Sequence, residues 1–114
     1  MAKVKDVIFQ GANHNVISAN TTIKGEIYAD EDFRIDGKIE GNIQCKGKVV
    51  TGPHSKVTGT IHCLGADLMG EFEGDIRVEG NLMLRSSLIL NGNVIAKSLE
   101  IEPGAVFNGS CVMK

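Results

Sequence analysis

The side chains able to perform chemistry are few and scattered along this chain. Its three histidines, His14, His54 and His62, are candidate general bases only if an acid or a nucleophile is spaced to orient them. His14 stands in the polar stretch NHN, His54 adjoins Pro53 in a turn, and His62 occupies an outward strand position. We find no acid or nucleophile at a spacing that would orient any of them. All three are therefore interpreted as surface or turn residues, and no catalytic residue is predicted.

Acidic residues and cysteines give no better site. Asp30 to Asp32 form a loop run, and Glu71, Glu73 and Asp75 alternate on one face, a pattern typical of solvated surface. The three cysteines, Cys45, Cys63 and Cys111, are an odd number without the CxxC spacing of zinc sites, so neither a disulfide framework nor a metal site is predicted. No cofactor is expected either, because no glycine-rich loop opens a helix to hold phosphate.

Charge and hydropathy exclude further classes. The net charge of -2 gives no general attraction to phosphate backbones, so nucleic acid is not an expected partner. No apolar run approaches the roughly 18 residues of a transmembrane helix, and the start MAKVKDVIFQ lacks the features of a secretion signal. A cytoplasmic protein is the expectation.

A repeat organises the rest of the chain. A glycine two residues before Ile, Val or Cys recurs six times at intervals of 15 to 18 residues. The residues two before, two after and four after it are apolar or small in every copy. The glycines are Gly25, Gly41, Gly59, Gly74, Gly92 and Gly109.

This alternation has a period of two residues, which is typical of a strand with one buried face. A helix is not expected, because each repeated glycine would destabilise it by about 1 kcal/mol. A second short strand precedes the glycine strand in most copies, as in Leu82-Met83-Leu84 and Leu99-Glu100-Ile101. We therefore predict an all-β fold, a parallel β-helix of about six coils in which like residues stack in rows. Cys45 and Cys63 fall in one row of neighbouring coils and are expected to be buried thiols. A disulfide between them is geometrically conceivable, but the cytoplasm disfavours it.

The alternative solenoid is the left-handed hexapeptide helix of many acyltransferases, with an apolar row at every sixth residue. Ile17, Ile23, Ala29 and Ile35 fit that spacing, but Gly41, Gly47 and Pro53 then break it. A right-handed solenoid is therefore favoured. An enzyme would also need a loop or helix that builds a pocket, and the short intervals leave no room for one.

Two stretches of the sequence resemble the bactofilins, polymer-forming bacterial cytoskeletal proteins. They are Leu99-Glu-Ile101-Glu-Pro-Gly104-Ala105-Val106-Phe107-Asn-Gly109 and Thr22-Ile23-Lys-Gly25-Glu-Ile27. The resemblance covers roughly residues 16 to 113. It implies a right-handed β-helix of roughly triangular cross-section that assembles end to end, without nucleotide, into filaments often found beneath the inner membrane. Such filaments are expected to position cell-wall enzymes and influence cell shape. A monomeric adaptor for a wall-synthesis partner remains an alternative.

The ends of the predicted rod supply its candidate contact residues. The last repeat ends at Met113 without a polar cap, so we expect an open apolar end that binds another rod. Phe107 matches the family's junction position, and the row pattern adds Cys111 and Met113. At the other end the candidates, if rods meet head to head, are Val16, Ile17 and Ile23.

Residues 1 to 15 are predicted to be a flexible lead-in and residues 16 to 114 the β-helix domain. Some bactofilins bind membrane through a short apolar N-terminal peptide. Here Val4, Val7 and Ile8 could form one apolar face beside Lys3 and Lys5, although so short a peptide gives only marginal affinity.

Overall fold

The computed structural model describes residues 14 to 114, with side chains from Val16 onward. Within this range the chain consists of strands joined by turns. The predicted membrane contacts Val4, Val7 and Ile8 lie outside the described residues. The strands are β1 His14–Ile17, β2 Thr22–Ala29, β3 Asp32–Ile35, β4 Lys38–Cys45, β5 Lys48–Thr51, β6 Lys56–Cys63, β7 Gly65–Leu68, β8 Glu71–Leu84, β9 Ile89–Ile101 and β10 Val106–Met113.

Each coil combines a short strand with an eight-residue glycine strand, and every pairing is parallel between successive coils. The glycine strands stack in the order β2, β4, β6, the first part of β8, the first part of β9, and β10. The short strands β1, β3, β5 and β7 stack beside them and continue into the last residues of β8 and β9. The predicted parallel β-helix of about six coils is confirmed.

The glycines pair with one another along the whole rod, from Gly25 with Gly41 to Gly92 with Gly109. They adopt positive φ, 134° at Gly74, where residues with a side chain are strained. A Cβ built on Gly74 would lie 1.8 Å from the carbonyl oxygen of Gly59. The row is therefore glycine because each coil passes within contact distance of the coil before it.

The predicted inward rows form the core of the middle coils. Ile39, Leu82, Leu84, Leu90 and Ala96 have no exposed surface. Cys45 and Cys63 are buried as free thiols, as expected from their shared row. Burial is lower only in the first and last coils, where one side of each inward residue has no further coil to cover it.

Charged side chains on the outside tie one coil to the next. Arg85 donates two hydrogen bonds to the carboxylate of Asp67, at 2.7 and 2.6 Å, and a third to Glu102 at 3.2 Å. These three residues lie in three successive coils. Hydrogen bonds from Arg85 hold the pKa of Asp67 below its usual range, so acid should weaken this link.

Arg85→Gln is expected to lower the free energy of unfolding only modestly at neutral pH, because Arg85 is partly exposed and its ion pairs are screened by solvent. Because the pKa of Asp67 is lower in the folded chain, its contribution is present above the unfolded-state pKa of about 4 and is lost as pH falls through the folded-state pKa. Urea unfolding at neutral and acid pH should therefore show a difference that shrinks in acid. Arg34→Gln, whose partner Asp36 is in the same coil, is the control. An equal loss at both pH values would contradict the role of Asp67.

Candidate assembly interfaces

The last coil ends in an apolar layer that no further strand covers. Within residues 14 to 114, β10 pairs only with β9, so its outer edge presents backbone N–H and C=O groups without strand partners. The inward row beside that edge is Phe107, Cys111 and Met113, which stack on Leu90, Val94 and Ala96. Met113 is 52% exposed although its equivalent Ala96 is fully buried.

The structure brings the three residues predicted for this end together. Phe107 and Cys111 are partly buried against the core below them, and Cys111 Sγ lies 3.7 Å from Met113 Sδ. Sequence reasoning missed Ile101, which is 49% exposed and stacks on the fully buried Leu84. The repeat carried that signal, because Leu99-Glu100-Ile101 is the last copy of the short strand.

The first coil is open in the same way. Ile17 pairs with Ile35 and Ile23 with Ile39, so both are inward residues of the terminal coil. Ile27, which the sequence candidates omitted, is also partly buried against the core. Val16 instead pairs with Arg34 in an outward row and is 44% exposed. The structure thus places Val16 on the side of the rod, next to this end.

Both ends therefore combine two features of a strand-pairing surface. One is a free strand edge. Among the described residues β1 and β2 at the first coil, and β10 at the last coil, each pair with another strand on one side only. The other is an apolar row that continues the core. A second strand can hydrogen-bond to such an edge and bury such a row, which makes uncovered edges sites of self-association.

His62 has a partner that the sequence did not reveal. Its Nε2 lies 2.7 Å from Glu79 Oε2, and Arg77 Nε donates to the same oxygen at 3.2 Å. The expectation that no acid orients His62 was therefore wrong, because seventeen residues along the chain amount to one coil in space. The neighbouring thiol of Cys63 points into the core, where burial raises its pKa to about 12. It cannot act with His62 as an activated nucleophile.

The outer face beyond the glycines carries an open groove of about 760 Å³. Its polar side chains bond to one another along the rod, as in Thr60 to Asn42 at 2.6 Å and Asn93 to Asp75 at 3.3 Å. They form ladders that link coils and do not converge on one point. Among the residues described, no group of three or more His, Cys, Asp or Glu could hold a metal ion.

No helix in the described part of the chain is long and apolar enough to cross a bilayer.

Comparisons with known proteins agree with this architecture. The model of the bactofilin family, described as polymer-forming cytoskeletal, matches residues 15–112. The chain is similar to Bactofilin BacO of Myxococcus xanthus (strain DK1622), with 28% identity over 88% of this chain and 79% of BacO. It is also similar to Bactofilin BacP of the same strain, with 24% identity over 96% of this chain and 46% of BacP, so it spans less than half of that relative. No solved structure gives a significant match.

Proposed function

The chain belongs to the bactofilin family, and we propose that it is a bacterial cytoskeletal scaffold whose rods join end to end into filaments without nucleotide. The observation that supports this proposal is the pair of open rod ends, each with an uncovered strand edge beside an apolar row. Joining two rods would pair those edges and bury the rows, which extends the same stacking that holds the coils of one rod together.

The residues proposed to form these contacts follow from that geometry. At the last coil they are Phe107, Cys111 and Met113, and the structure adds Ile101. At the first coil they are Ile17 and Ile23, with Val16 at the rim and Ile27 added by the structure.

The cellular role is proposed from the family alone. We propose that the filaments lie in the cytoplasm at the inner face of the membrane, where they position proteins that build or hydrolyse the cell wall and so influence cell shape. Val4, Val7 and Ile8 are proposed to make a weak membrane contact. The scaffold itself is proposed to carry no enzymatic activity and no cofactor.

A dilution series of the purified chain without nucleotide tests assembly. Sedimentation and negative-stain microscopy should show filaments above a critical concentration and single rods below it. An adaptor or a solenoid enzyme would remain of constant size at every concentration and salt, and that result would overturn the scaffold proposal.

Thiol labelling gives a second check on the proposed junction. Burial raises the pKa of both Cys45 and Cys63, the latter to about 12, so their thiolate forms are rare at neutral pH and the core shields them. In single rods iodoacetamide should therefore modify the partly exposed Cys111 at least ~100-fold faster than the two core thiols. In filaments Cys111 should become protected as well. Equal labelling of Cys111 before and after assembly would place the junction elsewhere.

A further inference from the structure

One side of the rod carries three outward rows, formed by the residues one, three and five after each glycine. The open groove of about 760 Å³ lies along the first two rows, and a second groove of about 480 Å³ lies along the last two. We call this surface, over the first five coils, the side face. Its rows are Glu26, Asn42, Thr60, Asp75 and Asn93; Tyr28, Gln44, His62, Arg77 and Ile95; and Asp30, Lys46, Leu64, Glu79 and Lys97.

Charge and exposed carbon are separated along the side face. All of its carboxylates lie in the first four coils, and Glu31 in the corner after Asp30 adds to them, whereas the fifth coil carries Lys97 as its charged residue. Lys97 forms no salt bridge with any side chain that the structure describes. Tyr28 is 69% exposed in the first coil and Leu64 is 55% exposed in the third. The carboxylates are Glu26, Asp30, Asp75 and Glu79, and the cations beside them are Lys46 and Arg77.

A second rod turned end for end can match this pattern. When its third coil lies against the third coil of the first rod, each row faces itself, the first coil faces the fifth and the second faces the fourth. In the last row Asp30 then meets Lys97, and Lys46 meets Glu79. Leu64 meets its own copy. Each of these contacts except the central one occurs twice, because the arrangement is two-fold symmetric.

The middle row matches in the same arrangement. Tyr28 would cover Ile95, and the side-chain oxygen of Gln44 could accept a hydrogen bond from Arg77. His62, which already lies 2.7 Å from Glu79 of its own rod, would meet its own copy.

The first row completes the match with polar contacts. The amide nitrogen of Asn93 could donate to Glu26, and that of Asn42 could donate to Asp75. Thr60 would meet its own copy. No row therefore brings two carboxylates or two cations of Lys or Arg together.

Other arrangements of two side faces do bring like charges together. Rods that run parallel about a two-fold axis would set Asp75 against Glu79. Moving the antiparallel arrangement by one coil would set Asp30 against Glu79 in one direction and Lys46 against Lys97 in the other. Like charges placed opposite each other suppress a pairing, so charge selects one arrangement.

We propose that two copies of the rod pair antiparallel through their side faces, with their third coils opposite each other. Contacts within each rod leave the charged groups available. Asp30 and Lys46 lie 3.8 Å apart, but their side chains are 86% and 82% exposed. The side chain of Glu79 receives His62 and Arg77 and is still 47% exposed. The pairing covers the side of the rod, so it is separate from the junction proposed at its ends.

The pairing should be weak between single rods and stronger between filaments. Five coils at ~4.8 Å and four residues at ~3.3 Å give a contact of roughly 24 by 13 Å, about 300 Å² against the ~800 Å² per partner of a stable complex. A filament presents one side face for each rod, so weak contacts can add along two filaments. Because the ion pairs are exposed, high salt should separate the paired filaments.

Disulfide trapping tests the pairing and its register. The full chain carrying Cys111→Ser and Leu64→Cys is oxidised at high concentration and low salt, and linked dimers are counted on a non-reducing gel. The two introduced thiols should meet at the symmetry axis and give at least ~10-fold more dimer than Gln44→Cys in the same background. Gln44 lies on the same face, but two copies of it would be about 10 Å apart along the rod, beyond the Cα separation of a disulfide.

A mixture of two variants reports the antiparallel direction. Rods with Gln44→Cys mixed with rods carrying Arg77→Cys should form the link that neither forms alone. Equal dimer yields from Leu64→Cys and Gln44→Cys, or no gain on mixing, would overturn the proposal. Joined rod ends cannot produce these links, because the third coil is too far from either end.

Matched charge variants test the recognition. In the Leu64→Cys background, Lys97→Glu should lower the dimer yield roughly two- to fivefold, the range of an exposed ion pair, and Asp30→Lys added to it should restore the yield. Lys114→Glu is the control, because Lys114 is the next residue of the same row but its coil has no coil opposite it. Equal effects of Lys97→Glu and Lys114→Glu would overturn the proposal. Filaments that form without these links would leave the scaffold function intact, and links without filaments would leave the pairing intact.

Discussion

Phe107→Arg is expected to give folded rods that no longer form filaments. Phe107 stacks on Leu90 with its other side toward the open end, so an arginine there would leave an unpaired charge inside the proposed junction. An uncompensated buried charge costs about 3 to 5 kcal/mol, which should raise the critical concentration by at least ~100-fold. In a single rod the guanidinium can extend into water, so the free energy of unfolding should fall by only about 1 to 2 kcal/mol.

The matched control for this variant is Asn108→Arg. Asn108 is adjacent in the chain but lies in an outward row, where its side chain bonds to Asn91 at 3.1 Å. The Asn108→Arg variant adds the same charge to the same strand, but its side chain does not enter the end layer. Filaments should therefore persist. Sedimentation gives the critical concentration, and urea unfolding shows that both variants fold. Unchanged assembly of Phe107→Arg, or equal loss in both variants, would remove Phe107 from the junction.

Gly74→Ala is expected to be strongly destabilising, as is alanine at the other inner glycines of the row. Its Cβ would lie 1.8 Å from the Gly59 carbonyl oxygen, and the φ of 134° is unfavourable for alanine. Relief would require the two coils to move apart, which would break the hydrogen bonds between them. We expect a loss of at least about 4 kcal/mol, a large share of the stability of a domain of this size. Urea denaturation measures this loss.

Gly25→Ala separates the clash from the backbone strain. Gly25 has a similar φ of 132°, but nothing lies within 4 Å of the Cβ built on it, because it is in the first coil. Its substitution should cost only the strain, about 1 to 2 kcal/mol. If the two alanine variants lost equal stability, close approach of neighbouring coils could not be the reason for the glycine row.

The sequence predicted the fold well because the repeat leaves little freedom. Once Gly25 to Gly109 were aligned, the inward rows on both sides followed from strand alternation, and every glycine pair appears in the structure in that register. The buried state of Cys45 and Cys63 followed from the same alignment.

Contacts between coils were harder to predict. Glu79 was not assigned to His62, nor Asp67 to Arg85, because the repeat interval varies between 15 and 18 residues and the outward rows do not repeat one residue type. The sequence placed Val16 among the end residues because it adjoins Ile17, but alternation puts the two on opposite faces of β1. The short strand was recognised as a repeat, yet its exposed last copy at Ile101 was not read as part of the end layer.

Fibre diffraction from oriented filaments is the most direct test of end-to-end assembly. Rods joined at their ends keep their strands perpendicular to the filament axis, so the reflection from the spacing of ~4.8 Å between strands should lie on the meridian. Microscopy of the same filaments, in salt high enough to separate paired filaments, should show the width of a single rod rather than that of two or more rods side by side. A strand reflection on the equator, from rods packed side by side, would contradict assembly through the rod ends.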